Sequence, residues 1–142
     1  MQIENAKPYK HAVTILLDSE NLPSADLPDD LDNFFVALDG DKVIASVGME
    51  IYDSFGLLRS LAVGKSFRNN GIGDALLKSI ERTAATNSLK GIYLLTETAP
   101  GYFERKGYEQ VDRASVPEEI QRSTEFSHVC PVSAIVMKKE LK

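Results

Sequence analysis

The feature that most limits how this chain can fold is the segment Gly56–Asp74. Gly56 to Val63 is almost wholly apolar apart from Arg59 and Ser60, as expected of a central strand covered on both faces. A polar loop follows, seven residues long between Val63 and Gly71, and then the period changes. From Gly71 to about Thr86, Ile72, Leu76, Leu77, Ile80 and Ala84 fall on one helical face, while Lys78, Glu81 and Arg82 lie off it. A buried strand feeding a helix with one apolar face requires layered packing, helix against sheet.

The rest of the chain alternates in the same way. A weak strand at Gln2–Asn5 precedes a helix at Tyr9–Asp18. Asn21–Asp32, rich in Pro, Asp and Leu, reads as a loop, with a short helix as the alternative. Asn33–Leu38 and Val43–Tyr52 are β-prone runs joined by Asp39-Gly40-Asp41, and an Asp-Gly pair between such runs predicts a hairpin. After the long helix come a buried strand at Ile92–Thr96 and a helix at Pro100–Lys106 stopped by Gly107. A strand at Tyr108–Arg113 and a helix to about Phe126 follow, the helix opened by a capping box of Ser115 with Glu118. Ser133–Lys139 is the last predicted strand. The order predicts a mixed α/β fold, and 142 residues fit one domain, 1–142.

Charge and cysteine usage narrow the function. Asp and Glu outnumber Lys and Arg by 21 to 16, for a net charge of −5, which argues against nucleic acid as the partner. Cys130 is the only cysteine, which excludes an intrachain disulfide and a cysteine-rich metal site, and no metal is expected. With His128 only two residues away, Cys130 reads as a structural thiol rather than a nucleophile. His11, on the first helix, is a poor metal ligand alone. Neither a signal-like apolar start nor a run of about 18 apolar residues occurs, so a cytoplasmic protein with no membrane partner is expected.

The loop Leu61–Asp74 carries the chemistry. Backbone N–H groups at a helix start, together with the helix dipole, favour an anion. Gly71 and Gly73 remove side chains that would hold a phosphate away, and Lys65 and Arg68 add positive charge. A dinucleotide loop is excluded, because its third small position is Leu76 here, and no Gly-Lys-Ser/Thr triplet is present.

Leu61-Ala62-Val63, then Arg68-x-x-Gly71-x-Gly73, then an amphipathic helix, resembles the acetyl-CoA motif of the GNAT superfamily of N-acyltransferases. Phe103-Glu104-Arg105-Lys106-Gly107-Tyr108 is similar to that family's later hallmark. The resemblance spans about residues 33–139. It implies an α/β (α+β) fold with a mixed, mostly antiparallel sheet flanked by helices, and acetyl-CoA as cosubstrate. It further implies that Leu61 and Val63, with Ala62 between, offer backbone groups to the pantetheine arm. Arg68, Asn69, Asn70, Gly71, Ile72, Gly73 and Asp74 would then hold the pyrophosphate. Phe103 and Arg105 would lie near the thiol end or the CoA moiety.

The same resemblance implies direct attack of a neutral amine on the thioester. Family members often use a tyrosine where this chain has Phe103, and a glutamate where it has Leu57. Glu50 is the remaining carboxylate to accept a proton through water, with a solvated strand residue as its other reading. Tyr102 is not an automatic substitute, since adjacent helical residues point about 100° apart. Arg59, in an apolar run, either holds a substrate carboxylate or is salt-bridged within the protein, Glu50 being a candidate partner. Thr96 and Thr98 fall where substrate would sit or cap the next helix.

A finer resemblance runs through Tyr93–Thr96, Pro117-x-x-Ile120 and Cys130-Pro131. It points to N-acetylglutamate synthase acetyltransferase domains and to arsenic-resistance-associated N-acetyltransferases, and Leu58–Val63 favours the second. With no amino-acid-kinase segment ahead of Met1, the two-domain synthase is not expected. The expected acceptor is the amine of a small amino acid or amino-acid-like compound. A protein or peptide N-acetyltransferase and a catalytically silent acyl-CoA-binding module are the alternatives. A homodimer stays open.

Overall fold

The computed structural model describes residues 2–97, 99–123, 126 and 134–141. In chain order the elements are β1 (Gln2–Asn5), α1 (Lys10–Ser19), β2 (Phe34–Asp39), β3 (Lys42–Tyr52) and β4 (Phe55–Val63). Then come α2 (Ile72–Thr86), β5 (Gly91–Thr96), α3 (Pro100–Arg105), β6 (Glu109–Gln110), α4 (Glu118–Gln121) and β7 (Ile135–Glu140). The seven strands form one mixed sheet in the order β1-β2-β3-β4-β5-β7-β6. β4 and β5 run parallel, while β1–β2, β2–β3, β5–β7 and β6–β7 run antiparallel.

Backbone contacts divide the chain into two units, Met1–Met49 with Arg59–Thr83, and Glu50–Leu58 with Ala84–Lys142. In the first unit, α1 buries Val13, Leu16 and Leu17 with Phe34, Val36 and Leu38 of β2, Leu31 of the preceding loop and Ala62 of β4. The β2–β3 hairpin closes as its Asp-Gly pair predicts: Asp39 pairs with Lys42 across a two-residue turn, and Gly40 supplies the positive φ of 62°. Residues 21–33 are irregular and are tied down locally. Asn5 Nδ2 donates to the Asp32 carbonyl at 2.8 Å, and Lys7 pairs with Asp32. The side-chain hydrogen bond between Lys7 and Asp32 holds the Asp32 carboxyl below its ordinary range and the Lys7 ammonium above its own. The predicted face of α2 is the buried one: Ile72, Leu76, Leu77, Ile80 and Ala84.

In the second unit, Leu57, Tyr93, Val116, Ile120, Phe126 and Val136 form the core. Two expectations fail here. The strand at Tyr108–Arg113 shrinks to Glu109–Gln110, an exposed sheet edge laddered with Lys138 and Met137, beyond which Val111 N–H still donates to the Val136 carbonyl at 3.0 Å. The capping box does not form. Ser115 Oγ donates to the Asp112 carbonyl at 2.7 Å, and the helix starts only at Glu118. Pro117 is the reason: it disfavours helical backbone at the residue before it, and Val116 is extended at φ −73°, ψ 138°. Ser133, Cys130 and His128 lie outside the described residues.

Candidate active site

β4 is two different strands end to end. Phe55–Leu58 pairs with Gly91–Leu94 of β5, and that parallel ladder takes in no residue of Leu61–Val63. Between the two halves the pleat is interrupted. Ser60 stands at φ 61°, in the left-handed region, within a strand. A sequence reading that alternates side chains strictly along β4 misses this left-handed residue.

Beyond Val63 the chain turns sharply. Gly64 N–H donates to the Ile44 carbonyl at 2.8 Å, and Lys65–Phe67 makes one 3-10 turn closed by Phe67 N–H on the Gly64 carbonyl at 2.9 Å. Arg68 Nε reaches back to the Val63 carbonyl at 3.2 Å, and Asn70 Nδ2 donates to the Phe67 carbonyl at 3.3 Å. Asn69 and Gly71 both take positive φ, 66° and 76°. Two left-handed residues so close together turn the backbone into the start of α2, where Ala75 N–H donates to the Gly71 carbonyl at 3.1 Å.

The loop fits a phosphate on structural grounds. Residues 68–71 are exposed, and a Cβ built on Gly71 meets nothing within 4 Å. The N–H groups of a helix's first turn have no acceptor within the helix, and α2, at 15 residues, is long enough to carry a dipole. Two carboxylates temper the positive charge. Asp74 stands in the first turn, and the Arg68 guanidinium is paired with Glu20 at the end of α1.

Arg59 takes the second of its two alternatives, an ion pair within the protein, with a partner other than the one expected. Its Nη1 and Nη2 donate to the two carboxylate oxygens of Asp26 at 2.7 and 2.8 Å, its side chain is 0% exposed, and its Nε donates to Ser60 Oγ at 3.1 Å. The fork expected to grip a substrate carboxylate holds one from the chain itself. That partner is Asp26 rather than Glu50, because the irregular loop after α1 brings Asp26 to β4.

The remaining candidates stand in the second unit. Glu50 Oε1 accepts from the Tyr52 hydroxyl at 2.6 Å, two residues along β3. Thr96 Oγ1 accepts the Ala99 N–H at 3.1 Å, a bond made just ahead of α3, which has no side-chain cap of its own. Thr98 lies outside the described residues. Phe103 is buried, edge-on to Tyr102 and Tyr108 with ring centres 5.2 and 5.6 Å apart. Arg105 is exposed in the last turn of α3, where a cation complements the helix dipole.

A cavity of about 350 Å³ in the first unit corresponds to no motif in the sequence. Ile15 and Leu16 of α1, Lys42 and Val43 of β3, and Ser66 and Phe67 of the 3-10 turn line it. Among the described residues, no three His, Cys, Asp or Glu side chains are grouped to hold a metal, and no helix is long and apolar enough to cross a membrane.

A strand, an exposed glycine-containing loop and a long helix in this order occur in more than one fold. The family model described as the acetyltransferase (GNAT) domain matches residues 30–110, more than half of the chain. The chain belongs to the GNAT acetyltransferase family. This GNAT domain has relatives of two kinds. The uncharacterized N-acetyltransferase YjcF of Bacillus subtilis is 29% identical over 98 residues, 66% of this chain and 70% of YjcF. The amino-acid acetyltransferase of Buchnera aphidicola is 29% identical over 118 residues, 82% of this chain but only 26% of that protein.

Solved structures share the GNAT fold. Rv2747 from Mycobacterium tuberculosis, in complex with CoA and NLQ, matches over 100% of both chains with a TM-score of 0.83 at 22% identity. N-acetylglutamate synthase from Neisseria gonorrhoeae, complexed with coenzyme A and N-acetyl-glutamate, matches at a TM-score of 0.81 and 14% identity. That match covers 99% of this GNAT chain and 35% of the synthase.

Proposed function

We propose that residues 1–142 act as one acetyl-CoA-dependent N-acetyltransferase domain that transfers acetyl directly to the amine of a small amino acid or amino-acid-like compound. The observation that carries the cosubstrate is the open, left-handed Gly71 at the start of α2. Leu61 and Val63 offer backbone groups to the pantetheine arm, with Ala62 between them. The stretch from Arg68 to Asp74 holds the pyrophosphate, chiefly through backbone N–H groups.

Acetyl-CoA supplies an acetyl group already activated as a thioester. The amine must reach it neutral, so it needs a route for its proton, and Glu50 accepts that proton through water. Strand N–H groups stabilise the charge that develops on the acyl oxygen. Phe103 offers no hydroxyl for the departing thiolate. The amino-acid acetyltransferase of Buchnera aphidicola, similar across 82% of this chain, supports an amino acid as acceptor.

Phe103 favours one second reading, a catalytically silent acyl-CoA-binding module. A turnover screen separates the two: acetyl-CoA with a panel of amino acids, their decarboxylated amines and a peptide amine, read as release of CoA thiol. Thiol release with one amino acid supports the enzyme, and preference for the peptide moves the acceptor to protein. Binding without turnover on any amine leaves the silent module. Placement of the phosphate is tested by calorimetry on Gly71→Asp. That change puts a side chain and a negative charge into open space beside the phosphate, and a folded variant should lose CoA affinity by tenfold or more, roughly 1.4 kcal/mol.

A further inference from the structure

Ser60 is held harder than a strand residue needs to be. A residue other than glycine keeps a left-handed backbone only where its surroundings over-determine it. Three side chains do so here. Ser46, fully buried in β3, donates its hydroxyl to the Ser60 carbonyl at 2.8 Å. Arg59 Nε donates to the Ser60 hydroxyl at 3.1 Å. Asp26 fixes the Arg59 fork from the far side with two bonds, at 2.7 and 2.8 Å.

A buried ion pair is a poor way to gain stability, because apolar residues of similar volume often serve as well or better. What it provides is direction. A guanidinium bound at both Nη atoms has its Nε aimed as well, since the group is planar and rigid. Here Nε is aimed at the residue that bends β4, and the bend in turn sets where the backbone groups of Leu61–Val63 point.

We propose that Asp26, Arg59 and Ser46 are positioning residues for acetyl transfer: they hold the left-handed turn at Ser60 and so aim the Leu61–Val63 backbone at acetyl-CoA. This rests on the reading that Leu61–Val63 receive the cosubstrate. None of the three residues touches substrate in this scheme; each acts through Ser60.

The test compares Ser46→Ala, Asp26→Asn and Ser60→Gly with the wild-type chain. Ser60→Gly accepts positive φ without strain but loses the contact with Arg59, so it stays informative if the other two fold poorly. Melting temperature, acetyl-CoA affinity by calorimetry, and separate KM values for acetyl-CoA and the amine are measured for each. A folded Ser46→Ala should lose kcat/KM for acetyl-CoA by about fivefold to tenfold, the scale of one net hydrogen bond, with the amine KM unchanged. Ser60→Gly should lose it likewise. Wild-type kcat/KM in both folded variants overturns the positioning role and leaves the cosubstrate reading standing. Failure of the wild-type chain to bind acetyl-CoA overturns both.

Discussion

Arg59 and Asp26 lie 33 residues apart in sequence and meet through both Nη atoms of the guanidinium, at 2.7 and 2.8 Å. The contact joins an irregular loop to the strand that carries the candidate cosubstrate edge. Side-chain exposure is 0% for Arg59 and 8% for Asp26, so neither charge has water to fall back on.

Arg59→Met should therefore act first on stability. It leaves a buried carboxylate unpaired, at a cost of about 3–5 kcal/mol out of a typical total of 5–15. Replacing both partners, Arg59→Met with Asp26→Leu, should recover most of that loss, because the penalty lies in the orphaned charge. Urea unfolding of the three chains checks this. Equal stability in wild type and Arg59→Met would mean that the pair is not buried in solution.

Arg68 is paired with Glu20, yet it sits on the loop proposed to hold pyrophosphate. Arg68→Ala should weaken CoA binding by about fivefold, roughly 1 kcal/mol for an exposed charge, and less at high salt. Glu20→Gln should move affinity the other way, since it frees the guanidinium from a competing carboxylate. Calorimetry at two salt concentrations reads both. Tighter binding by Arg68→Ala would remove Arg68 from the phosphate site.

Glu50 accepts a 2.6 Å hydrogen bond from Tyr52 and is the proposed route for the amine's proton. Glu50→Gln should lower turnover on the order of 10²-fold, because an amide cannot accept the proton. Tyr52→Phe removes only the orienting hydroxyl and should cost less. Unchanged turnover in a folded Glu50→Gln would assign the base elsewhere.

Tyr102 stands next to Phe103, its ring edge-on to that phenyl and 5.5 Å from the Lys106 ammonium. Because neighbouring helical side chains diverge, Tyr102→Phe should keep turnover within a few-fold between pH 6 and 9, a range of ~3 units around the free thiol value. A drop on the order of 10²-fold would instead identify Tyr102 as the acid that protonates the thiolate.

The sequence by itself determined the features whose causes lie within a few residues. The run Gly56–Val63 is apolar on both faces and forms β4, and the five periodic apolar residues of α2 are the ones buried. Asp39-Gly40 closes its hairpin, and the glycine at position 71 takes the positive φ that its place before a helix requires. Tertiary structure decided the rest. Ser115 and Glu118 have the spacing of a capping box, yet the fixed backbone of Pro117 keeps Val116 extended and starts the helix later. Residues 108–113 have strand-forming side chains, but a strand needs a neighbour, and of this segment only Glu109 and Gln110 join the ladder with β7, with Val111 adding one N–H bond to the Val136 carbonyl. Arg59 was legible as a buried cation and illegible as to its anion, which comes from a loop with no periodic signal. The left-handed Ser60 accepts hydrogen bonds from Ser46, 14 residues away, and from Arg59, which that same anion holds. Local backbone preference can be read along a chain, whereas the partner of a buried charge is set by whichever distant segment the fold brings to it.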